Sequence, residues 1–326
     1  MLKTLKPSFL QFGERAQAFF KGPKAPSEKT LSFMEDSLGS TEKVVGDISQ
    51  IAETISSKFS EFSIEKTLGT GSFSTAYQIS SLSGKHVLKV TRINGAFHID
   101  DHEPSFALNS KRIGGEWLAL LRYGPFVASA NYALCYDHTN QIFRLVSNQE
   151  FSALFANPTQ LQNIHFTLIG TISNYSEGVQ DLAYYIDEGD FLSVEEVRNY
   201  ARQIFEALAS IHAKGIIHRD VKPENILLKE RKLQIIDFGL SRLEETKHKR
   251  RYSRCGTKAF IAPEVDNRSE YNAKADIYSA AKTIQQLTQG ANLGKAFNQF
   301  IADLCAPQDQ RPTAQEALAH PFLHLA

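Results

Sequence analysis

Asp220, Lys222 and Asn225 stand close together in His218-Arg-Asp-Val-Lys-Pro-Glu-Asn225, and a further carboxylate opens Asp237-Phe-Gly239 behind the apolar run Leu233-Gln-Ile-Ile236. Asn225 and Asp237 bring an amide and a carboxylate, both with oxygen acceptors. Upstream, Leu68-Gly-Thr-Gly-Ser-Phe-Ser-Thr-Ala76 turns sharply between two β-like runs. Its glycines at 69 and 71 let backbone amides approach an anion with no Cβ in the way. Lys89, flanked by Val87, Leu88 and Val90, is an ammonium set in an apolar strand. Taken singly these signals are modest, since a lone Gly-x-Gly between strands is usually a hairpin turn.

The elements that must hold these groups follow from periodicity. Phe62–Leu68, Thr75–Ser80 and Lys85–Val90 are β-like runs joined by Gly69-Thr-Gly71 and Leu82-Ser-Gly84, which predicts a small antiparallel sheet. Beyond about residue 180 the pattern turns helical. Ser193-Val-Glu-Glu196 is a capping box opening a helix over Val194–Ala213, with Val197, Tyr200, Ala201, Ile204, Leu208 and Ile211 on one stripe and Gly215 past its end. A sheet-rich half before a helix-rich half predicts an α+β, bilobal molecule with a cleft between the lobes.

At the amino terminus, Leu2, Leu5, Phe9, Leu10, Phe12, Phe19 and Phe20 are interleaved with Lys3, Lys6, Arg15, Lys21 and Lys24, a basic amphipathic segment that closes in Lys21-Gly-Pro-Lys-Ala-Pro26. Val44, Ile48, Ile51, Ile55 and Phe59 then mark one face of a helix. Residues 1–57 are read as a helical extension with a linker, lying on the following domain or, through residues 1–20, touching a membrane surface or partner. In 326 residues, 36 Lys plus Arg balance 36 Asp plus Glu, so no overall field gathers nucleic acid. Three scattered cysteines fit neither a disulfide framework nor a zinc site and point to a reducing compartment. No apolar run is long enough to span a membrane.

Gly69-x-Gly71, Lys89, His218–Asn225, Asp237-Phe-Gly239 and Ala262-Pro-Glu264 occur in this order, and with them residues 62–325 resemble the eukaryotic-type Ser/Thr protein kinases. The resemblance implies ATP and Mg²⁺ as cofactors, a protein substrate with a Ser or Thr acceptor, and autophosphorylation. It implies a kinase domain over 58–326, with an antiparallel-sheet N-lobe at about 58–148, a mainly helical C-lobe at about 178–326 and an insertion at 149–177. Asp220 is the implied base for the acceptor hydroxyl, and Lys222 reaches the γ-phosphate. Lys89 clamps the α- and β-phosphates, held by a helix carboxylate for which Glu116 is preferred over Glu103. Leu68, Gly69, Gly71, Ser72, Ser74, Ala76, Val87, Lys89 and Asn225 line the nucleotide, Ser74 standing where the family usually has its third glycine. Asn225 and Asp237 are the implied metal ligands. His218 buttresses the loop, Thr257 lines the acceptor site, and Glu264 with Arg311 anchors the activation segment.

That segment runs from Asp237 to Glu264 and carries basic Lys247-His-Lys-Arg-Arg-Tyr-Ser-Arg254, with Thr246, Tyr252 and, first, Ser253 as acceptors whose phosphate would pair with Arg219. Two regions depart from the family. The last strand before the interlobe hinge is either Gln141–Val146 or His165–Ile172, and the short interval from Asp276 to Arg311 leaves little for a substrate-docking helix. Two other functions stay open. A catalytically silent scaffold is opposed by the presence of Lys89, Asp220, Asn225 and Asp237. Small-molecule phosphotransferases commonly lack the Ala-Pro-Glu and Gly-Thr segments present here. The expected compartment is the cytoplasm. The compact domain also resembles kinases that intracellular bacteria deliver into host cells, which would make it the host cytosol.

Overall fold

The computed structural model describes residues 54–59, 62–70, 74–91, 107–109, 112–189, 192–244 and 255–325. The chain forms two compact units. The basic segment at 1–26, most of the stripe from Val44, and the acceptors Thr246, Tyr252 and Ser253 lie outside the described residues, as do Gly71, Ser72 and Glu103.

Among the described residues the first unit contributes six strands to an antiparallel sheet. Its strands are β1 (Ser63–Thr70), β2 (Ser74–Ser81), β3 (Gly84–Thr91), β4 (Tyr132–Asp137), β5 (Ile142–Ser147) and β6 (His165–Asn174). In space they run β1-β2-β3-β6-β4-β5. Both segments considered for the last strand are therefore strands, but β6 is the one hydrogen-bonded to β3, and Ile142–Ser147 lies outermost. The unit is not one stretch ending near 148. It takes residues 131–147 and 166–175 and leaves 107–130 to the second unit, because β6 returns to fill the place between β3 and β4.

One face of this sheet buries Tyr77, Ile79, Leu88, Val90, Leu134, Phe143, Leu145, Ile169 and Ile172, and the same cluster takes in Ile55, Phe59 and Phe62. Residues 54–58 are helical, and Thr54 Oγ1 donates to the Phe143 carbonyl at 3.2 Å. Phe59 meets His86 and Tyr132 edge-on, with centroids 5.3 and 5.5 Å apart. A domain boundary after residue 57 would cut through this core, since Ile55 is fully buried in it, so the boundary moves back to at least Thr54.

The second unit is mainly helical. Its helices include α1 (Asn148–Ala156), α2 (Leu182–Glu188), α3 (Val194–His212), α4 (Lys274–Leu287), α5 (Lys295–Leu304) and α6 (Ala314–Leu318). Ser193 and Glu196 form the reciprocal capping box of α3, and the whole predicted stripe is buried. Gln203 on the same helix donates to the Arg231 carbonyl and accepts from Leu233 N–H, both at 2.9 Å. It thereby docks a hairpin of β7 (Ile226–Lys229) and β8 (Lys232–Ile235) onto α3. Thr288–Gly294 joins α4 directly to α5, with Gly290 and Gly294 at positive φ, so the interval holds a loop where the family resemblance suggested a missing docking helix.

Candidate active site

The β7–β8 register explains why two residues eleven positions apart meet. Ile226 pairs with Ile235, so Asn225 and Ile236 emerge at the same end of the hairpin, where Ile236 N–H donates to the Asn225 carbonyl at 2.9 Å. Asp237 follows at once, with φ of +68°, and its Oδ1 accepts the Gly239 N–H at 3.1 Å. A non-glycine residue in the left-handed region costs of order 1 kcal/mol or more and persists only where its surroundings hold it. Asn225 is buried and uses its Nδ2 on Asp220 alone, donating to the backbone carbonyl at 2.9 Å and to Oδ2 at 2.8 Å. The amide oxygen consequently points the other way, as a metal-facing carbonyl would need.

Asp220 is the centre of the cluster. Thr257 donates to its Oδ1 at 3.1 Å, and Lys222 Nζ lies 3.2 Å from Oδ2 while donating to Thr257 Oγ1 at 2.8 Å. Arg219, just before it, has φ of +69°. That bend is fixed by Asp276, a wholly buried carboxylate on α4 that accepts the N–H groups of His218 and Arg219, both at 2.8 Å, and bonds His212 Nε2 at 2.9 Å. Burial pushes the Asp276 carboxyl up, but the His212 hydrogen bond, the nearby imidazoles and the Arg219 N–H outweigh it and hold it below the ordinary carboxylate range. Gly256, at φ of +103°, completes the loop, because a Cβ there would lie 2.8 Å from the Arg219 carbonyl.

His218 is fully buried, with Nε2 3.1 Å from the Ile236 carbonyl and Nδ1 3.4 Å from the Asp220 N–H. A carbonyl can only accept, so the proton is assigned to Nε2 and the ring buttresses the loop from both sides. Arg219 donates to the Leu240 carbonyl and to the Tyr271 hydroxyl, the latter at 2.9 Å. Arg311, also buried, forms a fork to Glu264 at 2.6 and 3.2 Å and donates to the carbonyls of Ala306 and Lys274. This is the ion pair expected from the sequence. For Asp276, by contrast, no local signal marks it as the hub of a loop some sixty residues earlier.

In the first unit, Lys89 pairs with Ala76 on β2 and Thr171 on β6. His86, Leu88 and Val90 enter the core, so Val87 and Lys89 occupy the opposite, half-buried face together with Ser74 and Ala76. Gly170 is required there, since a Cβ would fall 2.7 Å from the Lys89 carbonyl. Leu68 and Gly69 are exposed at the end of β1, and a Cβ at Gly69 would meet nothing within 4 Å. The described residues thus give no steric reason for that glycine. Glu116 belongs to the second unit, in a 3-10 turn at Gly115–Leu120 rather than a long helix, and is buried with Oε1 2.8 Å from where a Cβ on Gly239 would stand.

Residues 162–296 match the protein kinase domain family. Over this stretch the chain is similar to protein kinase domains. It is 37% identical over 153 residues to CBL-interacting protein kinase 11 of Oryza sativa subsp. japonica, covering 46% of this chain and 29% of that one. It is 39% identical over 125 residues to 3-phosphoinositide-dependent protein kinase B of Dictyostelium discoideum, covering 37% and 14%. Against a putative ribosomal protein S6 kinase alpha-1 of Caenorhabditis elegans the identity is 24% over 268 residues, covering 80% and 29%. The chain thus spans less than a third of the length of these relatives. Among the described residues no helix is long and apolar enough to cross a membrane.

Proposed function

We propose that this kinase domain transfers the γ-phosphate of ATP to Ser or Thr hydroxyls of proteins, its own among them. The observation that carries the reading is the Asp220 carboxylate held between Thr257, Lys222 and Asn225. Asp220 orients the acceptor hydroxyl and takes its proton as the oxygen–phosphorus bond forms and ADP leaves. Lys222 and Lys89 steady phosphate oxygens, and Glu116 is the carboxylate that the family resemblance assigns to Lys89. Leu68, Gly69, Gly71, Ser72, Ser74, Ala76 and Val87 border the nucleotide, and the absence of any steric need for glycine at 69 supports a backbone approached by a ligand.

The donor set fits Mg²⁺. Asn225 and Asp237 offer two oxygen ligands, and no group of three or more His, Cys, Asp or Glu among the described residues could hold a metal. Two protein ligands completed by phosphates and water is the habit of Mg²⁺. When bound, the ion would neutralise phosphate charge. The supply of ATP and the three scattered cysteines support a cytosolic setting.

The purified chain should label itself or a basic acceptor protein with Mg²⁺ and labelled ATP, and Asp220→Asn should lower turnover about 10²–10⁴-fold while leaving the melting temperature close to the parent's. Mapping of the labelled residues by mass spectrometry then reads acceptor type. Turnover unchanged in Asp220→Asn, or nucleotide binding with no transfer by the parent, would remove the reading.

A further inference from the structure

The 3-10 turn that carries Glu116 spans six residues, and its neighbours show how so short an element keeps its place. At its start, the backbone of Gly115 lies directly on the turn after Asp237. A Cβ at 115 would stand 2.4 Å from the Phe238 carbonyl oxygen, 2.5 Å from that of Ser241 and 3.1 Å from the Ser241 nitrogen. These are backbone atoms, fixed in turn by the Ser241 N–H to Phe238 carbonyl bond at 2.8 Å and by Ser241 Oγ on the His218 carbonyl at 3.2 Å. At its far end, Tyr123 donates to the Leu118 carbonyl at 2.9 Å, and its ring stacks on Phe238 with centroids 5.2 Å apart and planes 6° from parallel. Burial pushes the Tyr123 hydroxyl well up, which keeps it a donor at any ordinary pH. Behind the turn, Trp117 stacks on Phe151 of α1 at 5.7 Å, and both side chains are fully buried.

We propose that Gly115, Tyr123 and the Phe151–Trp117 stack form a clamp that fixes Glu116 against the Asp237-Phe-Gly239 turn, making α1 a built-in positioning element for the catalytic carboxylates. The clamp rests on the kinase reading, but its parts lie outside the motifs that support that reading. The contact with Gly115 admits no side chain, so the two backbones cannot keep their spacing once a Cβ is present. Gly239 meets Glu116 from the other side in the same way, since a Cβ there would fall 2.8 Å from Oε1 and 3.1 Å from Asp237 Oδ1. An element of one or two turns has little stability of its own. Trp117 on Phe151 supplies it, through aromatic burial in a place where a longer helix would supply its own hydrogen bonds. Gly115, Tyr123 and Phe151 act through Glu116 and touch no reacting atom; they are positioning residues.

The test uses the full chain with Gly115→Ala and Phe151→Leu, the second being a milder change of shape in the core. Trp117 is the only tryptophan, so its emission reports the clamp itself. Per folded molecule, Gly115→Ala should lose about tenfold or more in kcat/KM for ATP, with KM for ATP raised and KM for the acceptor protein unchanged, and Trp117 emission should move to longer wavelength. Phe151→Leu should show the same pattern at about threefold. Either variant, folded and with kcat/KM for ATP within about twofold of the parent, overturns the clamp. So does a loss confined to kcat and proportional to the unfolded fraction, which is the mark of a merely structural role. Should Gly115→Ala fail to fold, Phe151→Leu decides by the same readings. Glu116→Gln and Asp220→Asn separate the two levels of argument. If both keep parent activity, the kinase assignment itself fails; if both are inactive while Gly115→Ala is fully active, only the clamp fails.

Discussion

Asp276 shows how much a single buried carboxylate can carry. It accepts from His212 and from two backbone N–H groups at the bend before Asp220, and no charge of its own helix shares the load. Its carboxyl is held below the ordinary value, so the native state binds this proton less readily than the unfolded chain does. The sign follows from linkage. Its contribution is complete above the unfolded carboxyl value of about 3.9 and is lost as pH falls through the lower native value. Asp276→Asn should therefore flatten the acid limb of the stability profile, read by urea unfolding from about pH 6 to about pH 3. It should also lower stability at neutral pH, because the donors left short of an acceptor cost about 1–3 kcal/mol each. A variant whose acid limb runs parallel to the parent's would show that the carboxylate's proton is not what the loop depends on. The meeting of Asp220, Lys222, Asn225 and Thr257 was legible as geometry, because each residue sits in a short contiguous motif. Asp276 and Gly115 were not, since what marks them is a contact with a backbone far along the chain.

Elements with strong local signals were read to within a residue or two. β1, β2 and β3 fall where alternation and turn residues placed them, and α3 begins at the capping box foreseen from Ser193 and Glu196. That box can be weighed. Ser193 Oγ accepts the Glu196 N–H at 3.2 Å, while Glu196 Oε2 accepts the Ser193 N–H at 3.0 Å, and the Ser193 bonds hold the Glu196 carboxyl below its usual range. Ser193→Ala should cost about 1 kcal/mol in global stability by chemical denaturation, with kinase turnover unchanged at temperatures where both proteins are folded. A cost indistinguishable from zero would mean that α3 is held entirely by its buried stripe. The region from 117 to 175 was harder to read. Its two candidate strands carry the same apolar signal, and only the pairing of β6 with β3 and β4, a long-range event, decides which is inner. The Phe151–Trp117 stack joins residues with no shared local period, so no window of sequence contains it.

At the scale of the whole molecule, the α+β reading holds, with a sheet unit and a helical unit, but the line between extension and domain moves. The helical face through Ile55 and Phe59 fits an extension lying on the domain as well as a part of it, since amphipathicity reports that a face is covered and not whether the cover is part of the core. Here it is: Ile55 is fully buried and Phe59 is 7% exposed within the sheet's own cluster. Burying each such side chain is worth about 1.5–3 kcal/mol, an upper estimate because the unfolded chain is itself partly compact. A domain of ordinary stability has only about 5–15 kcal/mol in all. Two amino-terminal truncations distinguish the alternatives. A chain starting at residue 54 should melt within a few degrees of the full chain and keep its turnover. One starting at residue 60 should lose about 3–6 kcal/mol in denaturant unfolding, with the near-ultraviolet signal of the sheet's tyrosines falling first. If the shorter chain were as stable as the longer one, Ile55 and Phe59 would be lying on a surface that closes without them, and the domain would begin where the sequence alone had put it.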